Sequence, residues 1–486
     1  MLKQKRTLYA FESDALEETA NLTLCLKEPA PDPDNPVVPL GANGEPDEDK
    51  LCYTASVDRR GEGYGMWYQA QDSRRRLTRC FASSLDGFEW KKHGVIGEGL
   101  FNTLGNSFNV YNDEDRFLAP LTSLGTDPSI DPAYAALQAE DVPDERRKTA
   151  IENSLAKSGR CGVTTFVGIA TSDDGLDWKL PPRTPRLPMM LEAPWIYRFR
   201  GHYIMNAQTH GAWFDPPVSG VRRVAFFTSD DLVNWKLQPG YMKNTAHEAI
   251  KGMTHVGVVP IKRIDERLLI GLGGRFDDEP ELPQQHFEVT LLYSTDGLDW
   301  KPMVPQVERR NWIRRGRPGE WDFGGVTGMG MTEKGDRAAA YYSGTTIGNG
   351  SHAFPPYDPG PCRVGRVCFT RDRFAALQPA VGWNAIFEHA QAGGASGSLM
   401  TKPIELSTDR PLTLNLEIPD GAGAEVKVEV LSSGGTVCDS AKVQEGGVGV
   451  PVPLEKPAPR EPVRLRLTLS GGTAPDRVPR LFAIEY

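Results

Sequence analysis

Short runs of strand-forming residues recur along the chain, and each run is followed by the same turn. Four of these runs read RCFAS, VGIATS, RVAFFTS and TLLYS, and their β-branched and aromatic residues favour β-strands. The turn has the form Ser-x-Asp-[Gly/Leu]-x-x-Trp, in which Asp-Gly is a hairpin signal and the tryptophan opens the next strand. Its four copies are Ser84/Asp86/Trp90, Ser172/Asp174/Trp178, Ser229/Asp231/Trp235 and Ser294/Asp296/Trp300.

The repeated turn predicts radial units of four strands, which are the blades of a β-propeller. The tryptophans are then expected at equivalent places in successive blades. Their spacing exceeds the roughly 40–50 residues that four strands and their turns need, so the excess is predicted to lie in loops. The segment FTRDRFAA is a degenerate fifth copy without the tryptophan, and the sequence therefore predicts five blades.

A second internal match lies outside the blade turns. GANGEPD (Gly41–Asp47) and GRPGEWD (Gly316–Asp322) share the pattern Gly-x-x-Gly-Glu-x-Asp. Each precedes a segment that is expected to begin a blade, KLCYTASV in the first case and GGVTGMGM in the second. This predicts that the two acidic turns occupy corresponding places at the entrances of the first and fifth blades.

The pattern changes after residue 385, where a Gly/Ser-rich joint is followed by short alternating strands such as EVKVEVLS and PVRLRLTLS. Strands of this kind, separated by glycine and proline turns, predict a small antiparallel sandwich. The expected fold is therefore all-β. Residues 1–385 form a five-bladed propeller with an N-terminal extension (1–38), and residues 386–486 form a β-sandwich.

Composition and charge narrow the function classes. The 486 residues fit two domains, and the net charge of −9 argues against a nucleic-acid-binding protein. No stretch approaches the ~18 apolar residues of a membrane helix, so no membrane partner is expected. No apolar segment follows the basic first residues, which predicts a cytoplasmic protein, or a periplasmic or secreted one if a signal has been removed. The seven cysteines are scattered without a Cys-x-x-Cys pair, and neither metal nor other cofactor is expected.

Three segments together carry a resemblance to a known group of enzymes. The blade turn, YGMWYQA (Tyr64–Ala70) and LEAPWIYRFRGHYIM (Leu191–Met205) resemble the five-bladed propeller glycoside hydrolases of the invertase/levanase-like and arabinanase/xylosidase-like families. The resemblance covers roughly residues 40–380. In those relatives, the glutamate of a Glu-x-Pro motif in the third blade is the general acid, and the matching Glu-Ala-Pro here implies this role for Glu192. The Trp-x-Asn-Asp-Pro-Asn and Arg-Asp-Pro motifs of the relatives are absent here, so the resemblance does not identify the nucleophile or base.

Glycoside cleavage normally uses two carboxyl groups, one of which must stay protonated near neutral pH. Glu192 lies in the apolar run Met-Met-Leu-Glu-Ala-Pro-Trp, which favours a protonated acid. Asp47 is a candidate nucleophile or base. Asp322 is a candidate catalytic group or another group in contact with the substrate. Asp127 is a candidate for stabilising the transition state or tuning the acid. Their alternative role is turn capping. The aspartates of the four blade turns are predicted to be structural.

Several polar and aromatic residues near blade entrances are candidate substrate-binding groups, because amides suit sugar hydroxyls and aromatic rings stack on sugar faces. A core or turn role is the alternative for each of them. The candidates are Asn106 with its neighbours Asn102 and Asn109, then Trp195, His255, Trp321 and Arg317.

These observations predict a glycoside hydrolase that removes a terminal sugar, with a furanoside among the candidates. Its partner would be an oligosaccharide or glycoside substrate, since a propeller funnel closed at its base favours chain ends. Two alternatives stay open. One is a phosphorylase or transglycosidase on the same scaffold, for which Arg314–Arg317 would supply cationic groups. The other is a carbohydrate-binding propeller without catalysis.

Overall fold

The structure is a computed structural model of the chain. It describes residues 6–73, 77–96, 108–126, 163–179, 186–187, 191–210, 222–238, 253–277, 286–304, 311–346, 362–381, 395–421 and 423–486. In these ranges the regular structure is β-strand, apart from a short 3-10 helix at Ser13–Ala15. In the same ranges, no helix has the length and apolar character that crossing a membrane requires.

The strands are numbered in chain order, and most of them form four-stranded antiparallel units. Near the N-terminus lie β1 (Thr7–Tyr9), β2 (Leu16–Ala20), β3 (Leu22–Leu26) and β4 (Ala30–Pro31). The first unit contains β5 (Lys50–Arg60), β6 (Gly63–Gln71), β7 (Leu77–Ser84) and β8 (Lys91–Val95). The second contains β9 (Tyr111–Asn112), β10 (Phe117–Thr126), β11 (Val163–Ser172) and β12 (Arg186–Leu187).

Three further units follow along the chain. The third contains β13 (Glu192–Phe199), β14 (His202–His210), β15 (Arg222–Ser229) and β16 (Lys236–Leu237). The fourth contains β17 (Met253–Ile264), β18 (Leu268–Asp277), β19 (His286–Ser294) and β20 (Lys301–Pro302). The fifth contains β21 (Gly325–Lys334), β22 (Arg337–Thr345) and β23 (Arg363–Thr370), and its fourth strand is β4 from the N-terminal region.

The first strands of the five units form a closed ring. Each of them contacts the first strand of the next unit, in the order β5, β9, β13, β17, β21 and back to β5. The ring closes where β21 and β5 pair in parallel, with Gly330 opposite Val57. The strand β4 pairs with the outer edge of β23, which ties the start of the chain to the last unit. This arrangement is the all-β propeller that the repeated turn predicts.

The blade turns are held by their own side chains, as predicted. In the first copy, the Ser84 Oγ accepts the Gly87 N–H at 2.8 Å. The Asp86 Oδ1 accepts the N–H groups of Phe88 and Glu89 at 2.8 and 2.9 Å. The same bonds recur in the other three copies, which begin at Ser172, Ser229 and Ser294. These aspartates are therefore occupied in turn formation.

In three of the four copies, the glycine at the fourth position of the blade turn also joins one unit to the next. Its carbonyl accepts a hydrogen bond from an aromatic side chain of the preceding unit. The pairs are Trp67 Nε1 with Gly175 O at 2.7 Å, Tyr197 Oη with Gly297 O at 2.6 Å, and Tyr341 Oη with Gly87 O. Because Tyr341 belongs to the fifth unit and Gly87 to the first, this bond also closes the ring.

The repeated tryptophans serve the same turns. Trp178 Nε1 donates to its own turn at Gly175 O, and Trp235 Nε1 to Leu232 O, both at 3.2 Å. In the other two copies, the indole N–H donates to the hydroxyl of the tyrosine that binds the turn carbonyl. Trp90 donates to Tyr341 at 3.0 Å and Trp300 to Tyr197 at 3.3 Å. Each of the four indole N–H groups thus donates either to the carbonyl of its turn or to the tyrosine hydroxyl that binds this carbonyl.

The remaining strands form two antiparallel sheets around one apolar core. They are β24 (Ala375–Pro379), β25 (Ala395–Thr401), β26 (Thr413–Glu417), β27 (Glu425–Leu431), β28 (Val437–Val443), β29 (Gly447–Pro451), β30 (Arg464–Gly471) and β31 (Arg480–Glu485). One sheet has the order β2-β25-β30-β27-β28, and the other β29-β26-β31-β24-β3 with β1 on β31. Alternate residues of each sheet enter the shared core, which makes this part a β-sandwich.

The observed division of the chain differs from the predicted one. One compact unit comprises Met1–Glu28, Met303–Glu308 and Phe369–Tyr486, and the other Pro29–Pro302 and Arg309–Cys368. The boundary thus lies before residue 369 rather than after 385, and the N-terminal segment is part of the sandwich rather than an extension of the propeller. The reason is strand pairing, since β1, β2 and β3 pair with β31, β25 and β24.

Candidate functional site

The predicted acid lies at a backbone irregularity. Glu192 is the first residue of β13, the innermost strand of the third unit, and its Cα partner is Gln208. The register shifts between Glu192 and Trp195, and Ala193 has a left-handed φ of 46°. A left-handed alanine costs conformational energy and persists only where its surroundings impose it, as they often do at functional sites. Only the backbone of Glu192 belongs to the described part of the chain.

The second unit holds this irregularity in place. The Asn109 side chain, 2% exposed, donates from Nδ2 to the carbonyl oxygen of Pro194 at 2.8 Å. Pro194 follows the left-handed residue directly, so this bond fixes the centre of the bulge. Asn109 was expected as a sugar-binding amide, whereas the structure gives its N–H to the protein backbone.

Asp47 lies inside the first acidic turn. Its side chain is 3% exposed and forms an ion pair with Lys92, whose Nζ lies 2.7 Å from Oδ2. The other oxygen, Oδ1, packs against Gly41, where a Cβ would collide with it, and Tyr68 Oη donates to Oδ2 at 3.4 Å. A glycine is therefore required at the start of this turn. The pattern of the sequence did not point to Lys92 or Tyr68.

Asp322 lies inside the second acidic turn in the same way. Its side chain is buried, Oδ1 packs against Gly316, and Tyr342 Oη donates to Oδ2 at 3.0 Å. Burial is the main influence that raises the pKa of this carboxyl, and the charge of Glu320 acts in the same direction. Within the part of the chain that the structure describes, Asp322 forms no ion pair.

The two turns share their backbone bonds as well. The Gly41 N–H donates to the Asp47 carbonyl at 3.0 Å, and the Gly316 N–H to the Asp322 carbonyl at 3.3 Å. Glu45 and Glu320 each accept the N–H three residues earlier in their turns, at 2.8 and 2.6 Å. The repeated motif therefore builds one turn twice, and its geometry matches the capping alternative. The catalytic roles of Asp47 and Asp322 stay predictions.

The aromatic candidates have different surroundings. Trp195 is half-buried on β13, and its Cδ1 would lie 3.8 Å from a Cβ placed on Gly257 of β17. The Trp195 side chain on β13 therefore lies beside β17, the innermost strand of the next unit. Trp321 stacks on Tyr342 with ring centroids 5.8 Å apart and lies so close to Gly344 that a side chain there would collide with it. Trp321 is thus packed on the second strand of the fifth unit.

The remaining candidates are placed as follows. Arg317 is exposed at the second acidic turn, and its N–H donates to Glu320. His255 lies in β17 opposite Arg275, beside a register shift, and only its backbone is described. Asp127 and Asn106 lie outside the described residues. Within the described residues, no group of three or more His, Cys, Asp or Glu side chains is arranged to hold a metal ion.

A further carboxyl, Asp58 of β5, did not stand out in the sequence. Its Oδ2 accepts the Asn112 N–H at 2.9 Å, and Ser56, two residues earlier, accepts the Val110 N–H at 2.8 Å. These side chains join the first unit to the short inner strand of the second. Desolvation raises the pKa of Asp58 to about 6, and hydrogen bonds from backbone N–H groups oppose this shift. Its position late in β5 separates it along the strand from the turn that carries Asp47.

Comparison with known proteins finds solved structures that resemble this chain, but no match to a protein family or to a curated protein sequence. A solved structure described as a glycoside hydrolase is 12% identical, with a TM-score of 0.44, and covers 71% of this chain and 92% of its own.

Two further solved structures give similar values. One represents a mannoside phosphorylase family that contains glycoside hydrolases targeting β-1,2-mannosidic linkages in Candida mannan (13% identity, TM-score 0.40, 71% and 94% covered). The other is an N-acetylgalactosamine deacetylase from F. plautii (15% identity, TM-score 0.42, 72% and 96% covered). With identities and TM-scores this low, the likenesses carry no argument about activity.

Proposed function

We propose that the protein is a carbohydrate-active enzyme, a glycoside hydrolase with Glu192 as its general acid and its five four-stranded units as the blades of the catalytic propeller. The observation that carries the proposal is the irregular start of β13, where a left-handed Ala193 and a register shift follow Glu192 directly. A regular inner strand would have a lower conformational energy. Strained backbone of this kind is found mainly where a side chain must be held in place for catalysis or binding.

The second carboxyl comes from Asp47, Asp127 or Asp322. The Lys92 ammonium group neutralises the charge of Asp47, which suits a carboxylate that acts as nucleophile or base. The raised pKa of Asp322 disfavours the ionised form that a nucleophile or base needs, so its buried carboxyl suits contact with the substrate better. Trp195, Trp321, His255, Asn106 and Arg317 are proposed to contact the substrate. Three single Asp→Asn variants, with azide added to restore turnover, identify the nucleophile, because an external anion replaces a missing carboxylate.

The substrate class is tested with a panel of aryl furanosides and pyranosides of both anomers, combined with analysis of the sugar released from natural oligosaccharides. The proposal expects turnover of one aryl glycoside, release of a monosaccharide from chain ends, and loss of both activities in Glu192→Gln. A panel without turnover, with sugar binding retained by calorimetry, would favour the carbohydrate-binding alternative.

A phosphorylase is the second candidate. The observation in its favour is Arg315, whose guanidinium lies 5.2 Å from the centre of the Phe323 ring at the second acidic turn. Exposed Arg317 lies in the same loop, and together such groups suit an oxyanion such as phosphate. Cleavage that requires inorganic phosphate and yields a sugar phosphate would establish this candidate. Equal rates with and without phosphate would exclude it.

A further inference from the structure

A buried asparagine clamps the innermost strand of the fourth unit. Asn206 of β14 is fully buried, and its Nδ2 donates to the Val258 carbonyl at 2.9 Å. The Val258 N–H donates back to Asn206 Oδ1, also at 2.9 Å. Both ends of the amide are thus satisfied by one residue of the next unit, as expected for a structural asparagine.

Asn109 makes only half of such a clamp on the third unit. Its Nδ2 donates to the Pro194 carbonyl, as Asn206 does to Val258. Its Oδ1 is buried and has no hydrogen-bond partner in the described part of the chain. The cause is chemical, because proline has no N–H to return the bond. A buried acceptor without a partner is costly, and such groups in native structures call for an explanation.

A second unfavourable feature, a strained backbone, lies at the residue before Pro194. Ala193 has its left-handed φ although it carries a side chain and precedes a proline. The strained backbone of Ala193 and the incomplete clamp of Asn109 on Pro194 therefore lie side by side, directly after Glu192. The equivalent part of the fourth unit, at Val258, has a satisfied asparagine. Local rules are broken together in this way mainly where function requires the geometry.

We propose that Asn109 is a positioning residue, which acts on Glu192 through the Pro194 carbonyl and holds the bulge that the acid requires. Pro194 has a defined part in this device. A residue with an N–H at this position would complete the clamp, as the Val258 N–H does for Asn206, and would hold the strand more tightly. The inference rests on the proposed function, since it assigns Asn109 a role in the chemistry of Glu192.

The experiment compares four variants with the wild-type protein. Asn109→Ala removes the clamp, and Asn109→Asp retains size and acceptor but loses the donor. Pro194→Ala restores an N–H, and Asn206→Ala is the matched control at the complete clamp. For each variant, hydrogen exchange is measured by mass spectrometry over residues 191–199 and 257–264, together with the melting temperature. The kcat and KM are measured against pH with 4-nitrophenyl and 2,4-dinitrophenyl glycosides of the sugar that the panel identifies.

Both Asn109 variants are expected to speed exchange over residues 191–199 and to lower kcat by about 10²-fold, with KM little changed, because small displacements of a catalytic group have effects of this size. The loss should be smaller for the dinitrophenyl leaving group, which needs little protonation. Pro194→Ala should slow exchange in the same segment and still lower kcat. If the clamp were only structural, a variant with slower hydrogen exchange in this segment would not lose kcat. Asn206→Ala should speed exchange over 257–264 and lower the melting temperature, with an unchanged pH profile.

Two results would overturn the inference. One is unchanged hydrogen exchange over residues 191–199 in Asn109→Ala. This result would show that Asn109 does not hold the segment in place, whatever the activity of the variant. The other is a kcat that falls no further in the Asn109 variants than in Asn206→Ala, or that is retained in Pro194→Ala. A wild-type protein that cleaves no glycoside would instead refute the proposed function, and hydrogen exchange would then decide the clamp alone.

Discussion

At the scale of single residues, the proposed chemistry depends on Glu192 at the start of β13. A carboxyl that acts as general acid must be replaced by a group of the same shape to separate proton transfer from binding. Glutamine retains the size of Glu192 but cannot deliver a proton. The activity of Glu192→Gln therefore shows how much the reaction depends on proton transfer from this residue.

The first prediction concerns Glu192→Gln. Its kcat should fall by about 10²–10⁴-fold on substrates with sugar or 4-nitrophenyl leaving groups, with KM largely kept. A 2,4-dinitrophenyl glycoside should be cleaved at nearly the wild-type rate. Steady-state kinetics with both leaving groups make the measurement, and Glu62→Gln at an exposed hairpin is the control. Equal losses on both substrates would show that Glu192 is not the acid.

The second prediction separates the two acidic turns. Asp47→Asn leaves Lys92 without its carboxylate and should destabilise the protein by about 1–3 kcal/mol. Asp322→Asn should cost less at pH 7. Burial raises the pKa of Asp322, so the ionised form is a burden in the folded state above its pKa, and the amide removes that burden. Urea unfolding of both variants tests this, and a larger loss for Asp322→Asn would contradict it.

At the scale of the element, the blade turn is a self-contained unit that short-range bonds hold together. Burial raises the pKa of Asp86, but bonds from the Glu89 and Phe88 N–H groups and from Ser84 outweigh it, and the pKa falls from 3.8 to about 2. A carboxyl with a depressed pKa stabilises the fold above its unfolded pKa, and this contribution is lost as the pH falls through its folded pKa.

The third prediction follows for Asp86→Asn. The variant should be less stable than the wild-type protein at pH 5–7, and the difference should shrink as the pH falls from about 4 to about 2. Thermal unfolding at a series of pH values gives the measurement. Asp173→Asn, at the exposed second position of an equivalent turn, should show no such trend. A stability difference that does not vary with pH would mean that the turn does not depend on the charge of Asp86.

At the scale of the whole molecule, three strands from the start of the chain join the sandwich sheets, and β1 pairs with β31. β2 pairs with β25 and β3 with β24, and Lys27 forms an ion pair with Glu417 at 2.7 Å. The apolar residues Leu8 and Ala10 belong to the sandwich core. The sandwich therefore depends on residues that are far from it in sequence.

The fourth prediction is that a chain beginning at residue 29 loses the order of its sandwich. Exposed sheet edges and an open core should make residues 395–486 exchange rapidly and become sensitive to proteases, while the blade strands stay protected. Hydrogen exchange by mass spectrometry gives the measurement, and removal of residues 1–5 is the control. Retained protection over 395–486 would show that these strands are dispensable.

The features that the sequence alone determined are local ones. The blade turn, its structural aspartate, the strands on either side and the duplicated acidic turn were all predicted, because each depends on hydrogen bonds between residues a few positions apart. The Ser-x-Asp pattern and the Gly-x-x-Gly-Glu-x-Asp pattern carry that information within seven or eight residues. The all-β class followed from these patterns and the strands beside them.

Only the tertiary structure decided the contacts between distant parts of the chain. The N-terminal strands entered the sandwich, which moved the boundary, because strand pairing satisfies backbone groups wherever a free edge is available and leaves no sequence signature at short range. The same holds at the candidate site. Lys92 reached Asp47, and Asn109 reached Pro194, across elements that the sequence separates by 45 and 85 positions. A buried amide oxygen without a partner is visible only when three-dimensional packing has determined which groups can meet.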